Sequence, residues 1–147
     1  MRIGIGGDHG GYELKTEIAA YLTSLGHEVT DFGCHSEARV DYPGYGRLVG
    51  EAAAAGEVDL GIAICGTGVG ISVAANKVHG ARCACVSEPY SARLARQHND
   101  ANVLAMGGRV VGVELAKMIV DEFIGTAPEG GRHAERRAKL AAMDDGR

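Results

Sequence analysis

An apolar run that ends in a cysteine and is followed by three alternating glycines constrains this chain more than any other segment. The run covers residues 60–65 and ends at Cys65, and glycines stand at positions 66, 68 and 70 before a helix-compatible segment. Glycines let backbone N–H groups converge on one point, and a helix that begins there adds its positive end. The segment therefore predicts a strand, an anion-binding turn and a helix, with Cys65 facing the turn.

A cysteine in this position has two possible roles. A thiol beside converging N–H groups favours its thiolate form, which can act as a base or a nucleophile. A lone cysteine beside a strand is, however, more often a small buried hydrophobic residue. The neighbouring glycines favour the chemical role for Cys65.

Three known phosphate-binding signatures do not fit this turn. A dinucleotide-binding G-x-G-x-x-G motif requires glycine at position 71, where the chain has Ile71. A Walker loop requires lysine and then serine or threonine after its last glycine. A cysteine phosphatase requires arginine where Ile71 stands. Nucleotide binding through these motifs and attack on phosphorus are therefore not expected.

Length and composition predict a single domain over residues 1–147. With 46% hydrophobic residues the chain can bury one core, and it is too short for two ordinary domains. A net charge of −4 argues against general nucleic-acid binding. No apolar run approaches the ~20 residues that span a bilayer, and the N-terminus lacks a signal-peptide pattern. We expect a cytoplasmic protein that binds neither nucleic acid nor membrane.

The four cysteines are expected to be reduced. Cys83 and Cys85 lie two residues apart on a predicted strand, and Cys34 is isolated. A zinc site needs a second pair of ligands, which the sequence does not offer. No metal site is therefore expected.

Strand and helix patterns alternate along the whole chain. Strands are predicted at residues 2–6, 27–32, 60–65, 81–86 and 103–106. Helices are predicted at about 14–25, 42–55, 70–77, 89–98, 113–124 and 132–143. This alternation predicts a doubly wound, Rossmann-like three-layer α/β sandwich with a five-stranded parallel sheet and a C-terminal helix.

Three polar motifs follow strands of this sheet. They contain Asp8 and His9 after the first strand, residues 65–70 after the third, and Arg109 after the fifth. Ligands of such sheets bind beyond the carboxyl ends of the strands. We therefore expect the three motifs to share one edge.

With these motifs assembled, the chain resembles type B ribose-5-phosphate isomerases, whose family also includes isomerases of allose and galactose 6-phosphates. The resemblance runs nearly end to end. It is carried by seven ordered motifs, at residues 7–9 (GDH), 41–43 (DYP), 65–72 (CGTGVGIS), 74–77 (AANK), 87–90 (SEPY), 96–100 (RQHND) and 130–133 (GGRH).

The resemblance implies cofactor-free interconversion of ribose 5-phosphate and ribulose 5-phosphate, a step of the non-oxidative pentose phosphate pathway. By this match Cys65 is the proton acceptor and His98 is the acid that opens the sugar ring. One branch of the family instead carries a glutamate base where this chain has Ile71, so the chain resembles the cysteine branch. The implied substrate contacts are Asp8, His9, Gly66, Thr67, Gly68, Val69, Gly70, Asn99, Arg109, Arg132 and Arg136.

The residue types suit this chemistry, although each also has a structural alternative. Isomerisation needs an acid, a base and an anion hole for the enediolate. Histidine titrates in the range that ring opening needs, but His98 could also be a solvated residue at a helix end. Asp8 could orient the sugar or cap the first helix, and Thr67 could relay protons or stabilise the turn.

Arg132 and Arg136 are expected to bind the substrate phosphate with help from His9. A spacing of four places both arginines on one face of the last helix, and guanidinium groups match phosphate oxygens. Arg137 points to a different side of that helix. The alternative is a solvated basic face, because residues 126–147 mix five Lys or Arg with four Asp or Glu.

Topology predicts a site shared between two chains. His98 and Asn99 end a helix that descends from the carboxyl edge of the sheet, so they are expected near the edge opposite their own Cys65. A symmetric homodimer, or a dimer of such dimers, would complete each site with residues of the neighbour.

Other functions remain open on the sequence alone. The chain could prefer a six-carbon sugar phosphate such as allose or galactose 6-phosphate. A non-catalytic sugar-phosphate-binding protein would keep the glycines and arginines without needing a reactive Cys65. A redox thiol protein would need a resolving cysteine near Cys65, and the sequence has no C-x-x-C motif.

Overall fold

A five-stranded sheet runs through the middle of the protein in the computed structural model, which describes residues 1–146. All neighbouring strands are parallel, in the order β2-β1-β3-β5-β4. The strands are β1 (Arg2–Gly7), β2 (Glu28–Asp31), β3 (Leu60–Cys65), β4 (Cys83–Cys85) and β5 (Val103–Gly107). The helices are α1 (Tyr12–Ser24), α2 (Tyr42–Ala54), α3 (Val69–Ala75), α4 (Pro89–Asn99), α5 (Val113–Ile124) and α6 (Arg132–Asp145). The predicted three-layer α/β sandwich is confirmed.

Both faces of the sheet are buried, because alternate residues of each central strand enter two different hydrophobic cores. Ile62 and Ile64 of β3 join the core that is covered by α1, α4 and α5. Ala63 and Cys65 join the core that is covered by α2 and α3. Strands covered on both faces are continuously apolar, and all six residues of β3 are buried.

Two glycines let α2 pack closely against the strand and helix that flank the glycine turn. A Cβ on Gly61 of β3 would lie 2.6 Å from Cγ1 of Val49, and a Cβ on Gly46 would lie 2.7 Å from the carbonyl oxygen of Ile71. Because a real Cβ does not approach other atoms so closely, larger residues would push α2 away.

The strand β4 is shorter than the predicted residues 81–86, although main-chain bonds to β5 continue on both sides of it. The N–H of Val103 donates to the carbonyl of Arg82 at 3.2 Å, and the N–H of Val86 donates to the carbonyl of Ala105 at 3.0 Å. The Asn76 side chain accepts from the N–H and donates to the carbonyl of Cys83. The Asn102 side chain likewise accepts from the N–H of Arg82 and donates to the carbonyl of Gly80. Side chains of Asn76 and Asn102 thus hold the segment around β4 in addition to its main-chain pairing with β5.

An ion pair between a buried lysine and a partly exposed aspartate anchors the connection between β2 and α2. The ammonium of Lys15, 1% exposed, contacts the carboxylate of Asp31 at the end of β2. Asp31 also accepts a hydrogen bond from the N–H of Gly33 at 2.8 Å. The pair thus ties α1 to the loop that leads into α2.

The helix α6 lies outside the three layers and packs against α4. Its one buried residue is His133. No helix within residues 1–146 is long and apolar enough to cross a membrane.

Candidate active site

The turn after β3 folds back on the cysteine that ends the strand. Cys65 is 4% exposed, and its sulfur accepts a hydrogen bond from the N–H of Gly68 at 3.1 Å. Gly68 has a φ of +82°, and a Cβ there would lie 2.7 Å from the carbonyl carbon of Met106. Only glycine fits this position without strain, so the sequence spacing directly creates the contact to sulfur.

The same turn presents further N–H groups. Within residues 1–146, the N–H groups of Gly66 and Thr67 have no hydrogen-bond acceptor. The loop after β5 supports the turn, because Gly108 donates to the carbonyl of Cys65 at 2.8 Å and Arg109 donates to that of Gly66 at 3.0 Å. The α3 helix has only seven residues, so the backbone N–H groups rather than a long helix dipole make this turn suited to an anion.

The motif after β1 lies directly beside the glycine turn. A Cβ on Gly10 would lie 3.0 Å from the backbone nitrogen of Gly66. Oδ1 of Asp8 accepts from the N–H groups of Gly10 at 2.9 Å and Gly11 at 3.2 Å. Asp8 therefore closes the turn before α1 but does not cap that helix, because the N-cap is Gly11 and no side chain caps it. Oδ2 of Asp8 accepts no bond within the described chain.

His9 and Arg109 complete this edge of the sheet. The N–H of Val40 lies 3.2 Å from Nδ1 of His9, which links the motif to the loop before α2. Nη1 of Arg109 lies 3.3 Å from the position that a Cβ on Gly66 would take. Arg109 is exposed, and no carboxylate within residues 1–146 pairs with it. The three motifs predicted to share one edge of the sheet do so.

Tyr42 is a member of this edge that the site prediction missed. A Cβ on Gly70 would lie 2.6 Å from Cζ of the Tyr42 ring, so the ring packs on the glycine turn. Tyr42 is part of the motif at residues 41–43, which pointed to it as a candidate. Nothing in the sequence showed that α2 begins beside α3 and so brings this ring to the turn.

The other cysteines near Cys65 are held in the thiol form. Burial raises the pKa of Cys83 to about 12, with a smaller contribution from Cys85. Burial also raises the pKa of the Cys85 thiol, with the charge of Cys65 adding to it and a hydrogen bond to Ser72 opposing it. Neither thiol is suited to act as a base near neutral pH.

Cys85 is also too far away to be a resolving cysteine. Cys65 pairs with Gly107 and Cys85 pairs with Ala105, so β5 lies between the two cysteines. Two strand spacings separate their Cα atoms by roughly 10 Å, whereas a disulfide requires less than about 7 Å. All four cysteines are free, and the redox alternative loses support.

The remaining predicted site residues form a second group around the C-terminus of α4. The imidazole rings of His98 and His133 are stacked, with centroids 4.0 Å apart and planes 4° apart. Asn99 is exposed, and its carbonyl accepts from Nε of Arg82 at 3.2 Å. This group therefore lies where β4 and β5 begin.

The two groups do not meet within one chain. Cys65 lies beside Gly107 at the end of β5, whereas His98 and Asn99 precede its start at Val103. At ~3.3 Å per residue, β5 alone separates the two edges by roughly 13 Å. The expected phosphate set is divided in the same way, with His9 in one group and Arg132 and Arg136 in the other.

The arginines of α6 have different surroundings. Arg132 and Arg136 are exposed, and neither pairs with a carboxylate within residues 1–146. Arg137 instead donates to the carbonyls of Glu129 at 2.8 Å and His98 at 3.3 Å. Arg137 thus has a structural role, which agrees with its exclusion from the phosphate site.

One group within the described chain brings possible metal ligands together. The ligand atoms of His98, Glu129 and His133 lie within 4.8 Å of one another. A nitrogen lone pair lies in its ring plane, and stacked parallel rings cannot aim both lone pairs at one ion. The group as arranged is therefore not a chelate.

Comparisons with known proteins agree with this architecture. The family model described as Ribose/Galactose Isomerase matches residues 3–140. The ribose-5-phosphate isomerase B of Escherichia coli K12 is 58% identical over 146 residues, which are 99% of this chain and 98% of that protein.

Solved structures give the same result. The Clostridium thermocellum ribose-5-phosphate isomerase B is 55% identical, with a TM-score of 0.98 and 99% of each chain covered. The Mycoplasma genitalium ribose-5-phosphate isomerase B with bound ribulose-5-phosphate is 40% identical, with a TM-score of 0.93, covering 99% of this chain and 97% of that one. From its seven motifs, its parallel sheet and these matches, the chain belongs to the ribose/galactose isomerase family and is an aldose–ketose isomerase.

Proposed function

We propose that this chain interconverts ribose 5-phosphate and ribulose 5-phosphate without a cofactor, in a site that two chains of a homodimer build together. The names of the similar E. coli and C. thermocellum proteins support the five-carbon substrate. The ribulose 5-phosphate bound to the M. genitalium protein supports the same choice. The main structural support for the proposal is the glycine turn, which brings a buried thiol and free N–H groups together.

The carboxyl edge of the sheet supplies the base and the anion hole. The Cys65 thiolate removes the proton from the carbon beside the carbonyl and returns it to the neighbouring carbon. The N–H groups of Gly66 and Thr67 donate to the enediolate oxygen that forms in between. Such a donor contributes about 3 kcal/mol of transition-state stabilisation. Asp8 directs its second carboxylate oxygen toward a sugar hydroxyl, and Arg109 adds positive charge beside Gly66.

The second group supplies the acid and the phosphate contacts from another chain. His98 protonates the ring oxygen as its bond to the anomeric carbon breaks, and the anomeric hydroxyl gives its proton to the second carboxylate oxygen of Asp8 as the aldehyde forms. Asn99 contacts the open sugar. Arg132 and Arg136 bind the phosphate together with His9 of the first group. Because these residues lie at the opposite edge from their own Cys65, a neighbouring copy must bring them to it.

A groove beside β4 supports pairing with a second copy of the chain. This groove of about 700 Å³ lies between α6 and the β4 edge, and it is lined by Asn99, Arg137 and the apolar Val73, Leu140 and Met143. Val73 and Met143 are more than half exposed. An apolar groove beside an edge strand is typical of a covered interface.

Subunit exchange between two inactive variants tests the shared site. Cys65→Ala and His98→Ala proteins are each expected to be inactive, and mixing them should restore activity. Random exchange leaves about one quarter of the sites with both residues intact. As the control, each variant is taken alone through the same exchange procedure and should stay inactive. Absence of recovery, with exchange demonstrated by mass spectrometry, would show that each site is built within one chain.

Two further properties complete the proposal. Rates with ribose 5-phosphate, allose 6-phosphate and galactose 6-phosphate will test the sugar length, and the five-carbon substrate is expected to be fastest. We also infer a cytoplasmic location, which the four free cysteines support, because thiols in secreted proteins are usually paired. Fractionation of the producing cells will test this location.

A further inference from the structure

The ring of His98 is held by a second imidazole that the proposed chemistry does not use. His133 is 5% exposed and stacks face to face on the half-buried His98. With centroids 4.0 Å apart and planes 4° apart, the two rings are in van der Waals contact over their faces. The stack therefore restricts rotation of the His98 ring about its side-chain bonds.

The backbone of His98 is held by the same segment of chain. The N–H of Glu129 donates to the carbonyl of Gln97 at 2.8 Å. Nη1 of Arg137 donates to the carbonyls of Glu129 and His98 at 2.8 and 3.3 Å. Residues 129–137 thus fix both the main chain and the ring plane of His98.

The charges around His133 favour its neutral form. Burial lowers the pKa of His133, and the charges of His98, Arg132 and Arg136 lower it further, while Glu129 opposes them. The Glu129 carboxylate lies 3.7 Å from Nε2, too far for a hydrogen bond that would hold a proton there. A neutral His133 can remain stacked whether or not His98 carries a proton.

We propose that His133 is a positioning residue, which holds the His98 ring so that its free edge points at the ring oxygen of the sugar. This inference rests on the proposed role of His98 as the acid. A general acid must lie within hydrogen-bond reach of its target, and small displacements of such a group are costly in rate.

The test compares the variants His133→Ala, which removes the stacked ring, and His133→Phe, which keeps a planar ring. Lys139→Ala, an exposed residue on the same helix, is the matched control. For isomerisation of ribose 5-phosphate, His133→Ala should lower kcat about tenfold with KM within about twofold. His133→Phe should retain at least about half of the parental kcat, and Lys139→Ala should be unchanged.

Deuterium exchange separates the acid from the base. Ribulose 5-phosphate has no free hydroxyl positioned to close a furanose ring, so it needs no ring opening. Cys65 can therefore exchange the C1 proton of this sugar with D2O even when the acid is impaired. His133→Ala should exchange this proton at a rate within about twofold of the parent, as measured by proton NMR. Cys65→Ala should lose exchange and isomerisation together.

Three results would overturn the proposal. They are parental kcat in His133→Ala, equal loss of exchange and isomerisation in His133→Ala, and a His133→Phe variant as slow as His133→Ala. A His98→Ala variant that isomerises at the parental rate would instead overturn the acid role of His98, whatever the His133 variants do.

Discussion

The backbone N–H of Gly68 donates to the sulfur of Cys65 across 3.1 Å. A donor at this position stabilises the thiolate form of Cys65, three residues earlier in the chain. Hydrogen bonds to charged groups typically contribute about 1.5–3 kcal/mol. The proposed base and the donor to its sulfur therefore lie in one short stretch of sequence.

Replacing Cys65 by alanine is expected to lower kcat by at least about 10³-fold, because the base is removed. The fold and the affinity for sugar phosphate should change little, since the N–H groups of the turn remain. Steady-state kinetics and calorimetric binding of ribose 5-phosphate will measure both. Near-parental turnover in this variant would exclude Cys65 as the base.

The other cysteines serve as matched controls for that experiment. Cys34→Ser, Cys83→Ala and Cys85→Ser should retain kcat within about threefold, because none of them ends the strand that leads into the turn. Cys83→Ala should show a small loss of stability, since its side chain packs against the core beneath α3.

Arg132→Ala or Arg136→Ala should raise the barrier for phosphorylated substrates by about 1.5–3 kcal/mol, measured from kcat/KM. Lys139→Ala is the control. Arg137→Ala is unsuitable as a control, although Arg137 points to a different side of the helix, because Arg137 donates to the carbonyls of Glu129 and His98. Unchanged kinetics in both arginine variants would place the phosphate elsewhere.

Isomerisation is expected to be independent of divalent ions, because the N–H groups of the turn can stabilise the enediolate charge by donating hydrogen bonds to it. Activity should be the same after dialysis against EDTA and after addition of Mg²⁺, Mn²⁺ or Zn²⁺. Loss of activity with chelator and recovery with one of these ions would contradict this expectation.

The Lys15–Asp31 pair should show an asymmetric effect on stability. Asp31→Asn leaves the ammonium of Lys15 buried without its counter-charge and should cost about 3–5 kcal/mol. Lys15→Met leaves a carboxylate that is one-third exposed and can be hydrated, so the loss should be smaller. Urea denaturation of both variants will measure the difference, and equal losses would show that burial of Lys15 is not the cause.

His133 should make stability fall in mildly acidic solution. The native pKa of His133 is below its ordinary value of 6.5, so below that pH the unfolded chain binds a proton that the native chain does not. Stability is therefore lost as the pH falls through this range. His133→Phe lacks this proton uptake, and its urea midpoint should fall less between about pH 7 and about pH 5. Parallel decreases in both proteins would contradict this origin.

Periodicity and motif spacing predicted most of the fold, for reasons that the structure makes clear. Every predicted helix and strand is present, because buried parallel strands are continuously apolar and glycine or proline marks the helix ends. The shared edge of Asp8, Cys65 and Arg109 followed from the rule that ligands bind at the carboxyl ends of strands. Topology alone also separated His98 from its own Cys65.

Contacts between distant segments could not be read from the sequence. The ring of Tyr42 packs on Gly70, and the rings of His98 and His133 stack, through packing of α2 on α3 and of α6 on α4. No short-range pattern encodes such packing, because it depends on where whole helices lie. The same reason explains why Arg137 could not be recognised as a backbone donor.

The strand order also determines when the molecule can be completed during synthesis. β5 lies between β3 and β4, and within residues 1–146 it is the only strand that pairs with β4. Until residue 103 and its successors leave the ribosome, β4 has no neighbour and the glycine turn lacks Gly107 and Gly108 beneath it. The strand that is made last thus inserts between two strands that are made earlier. A nascent chain that stops before β5 has neither a continuous sheet nor a supported anion-binding turn.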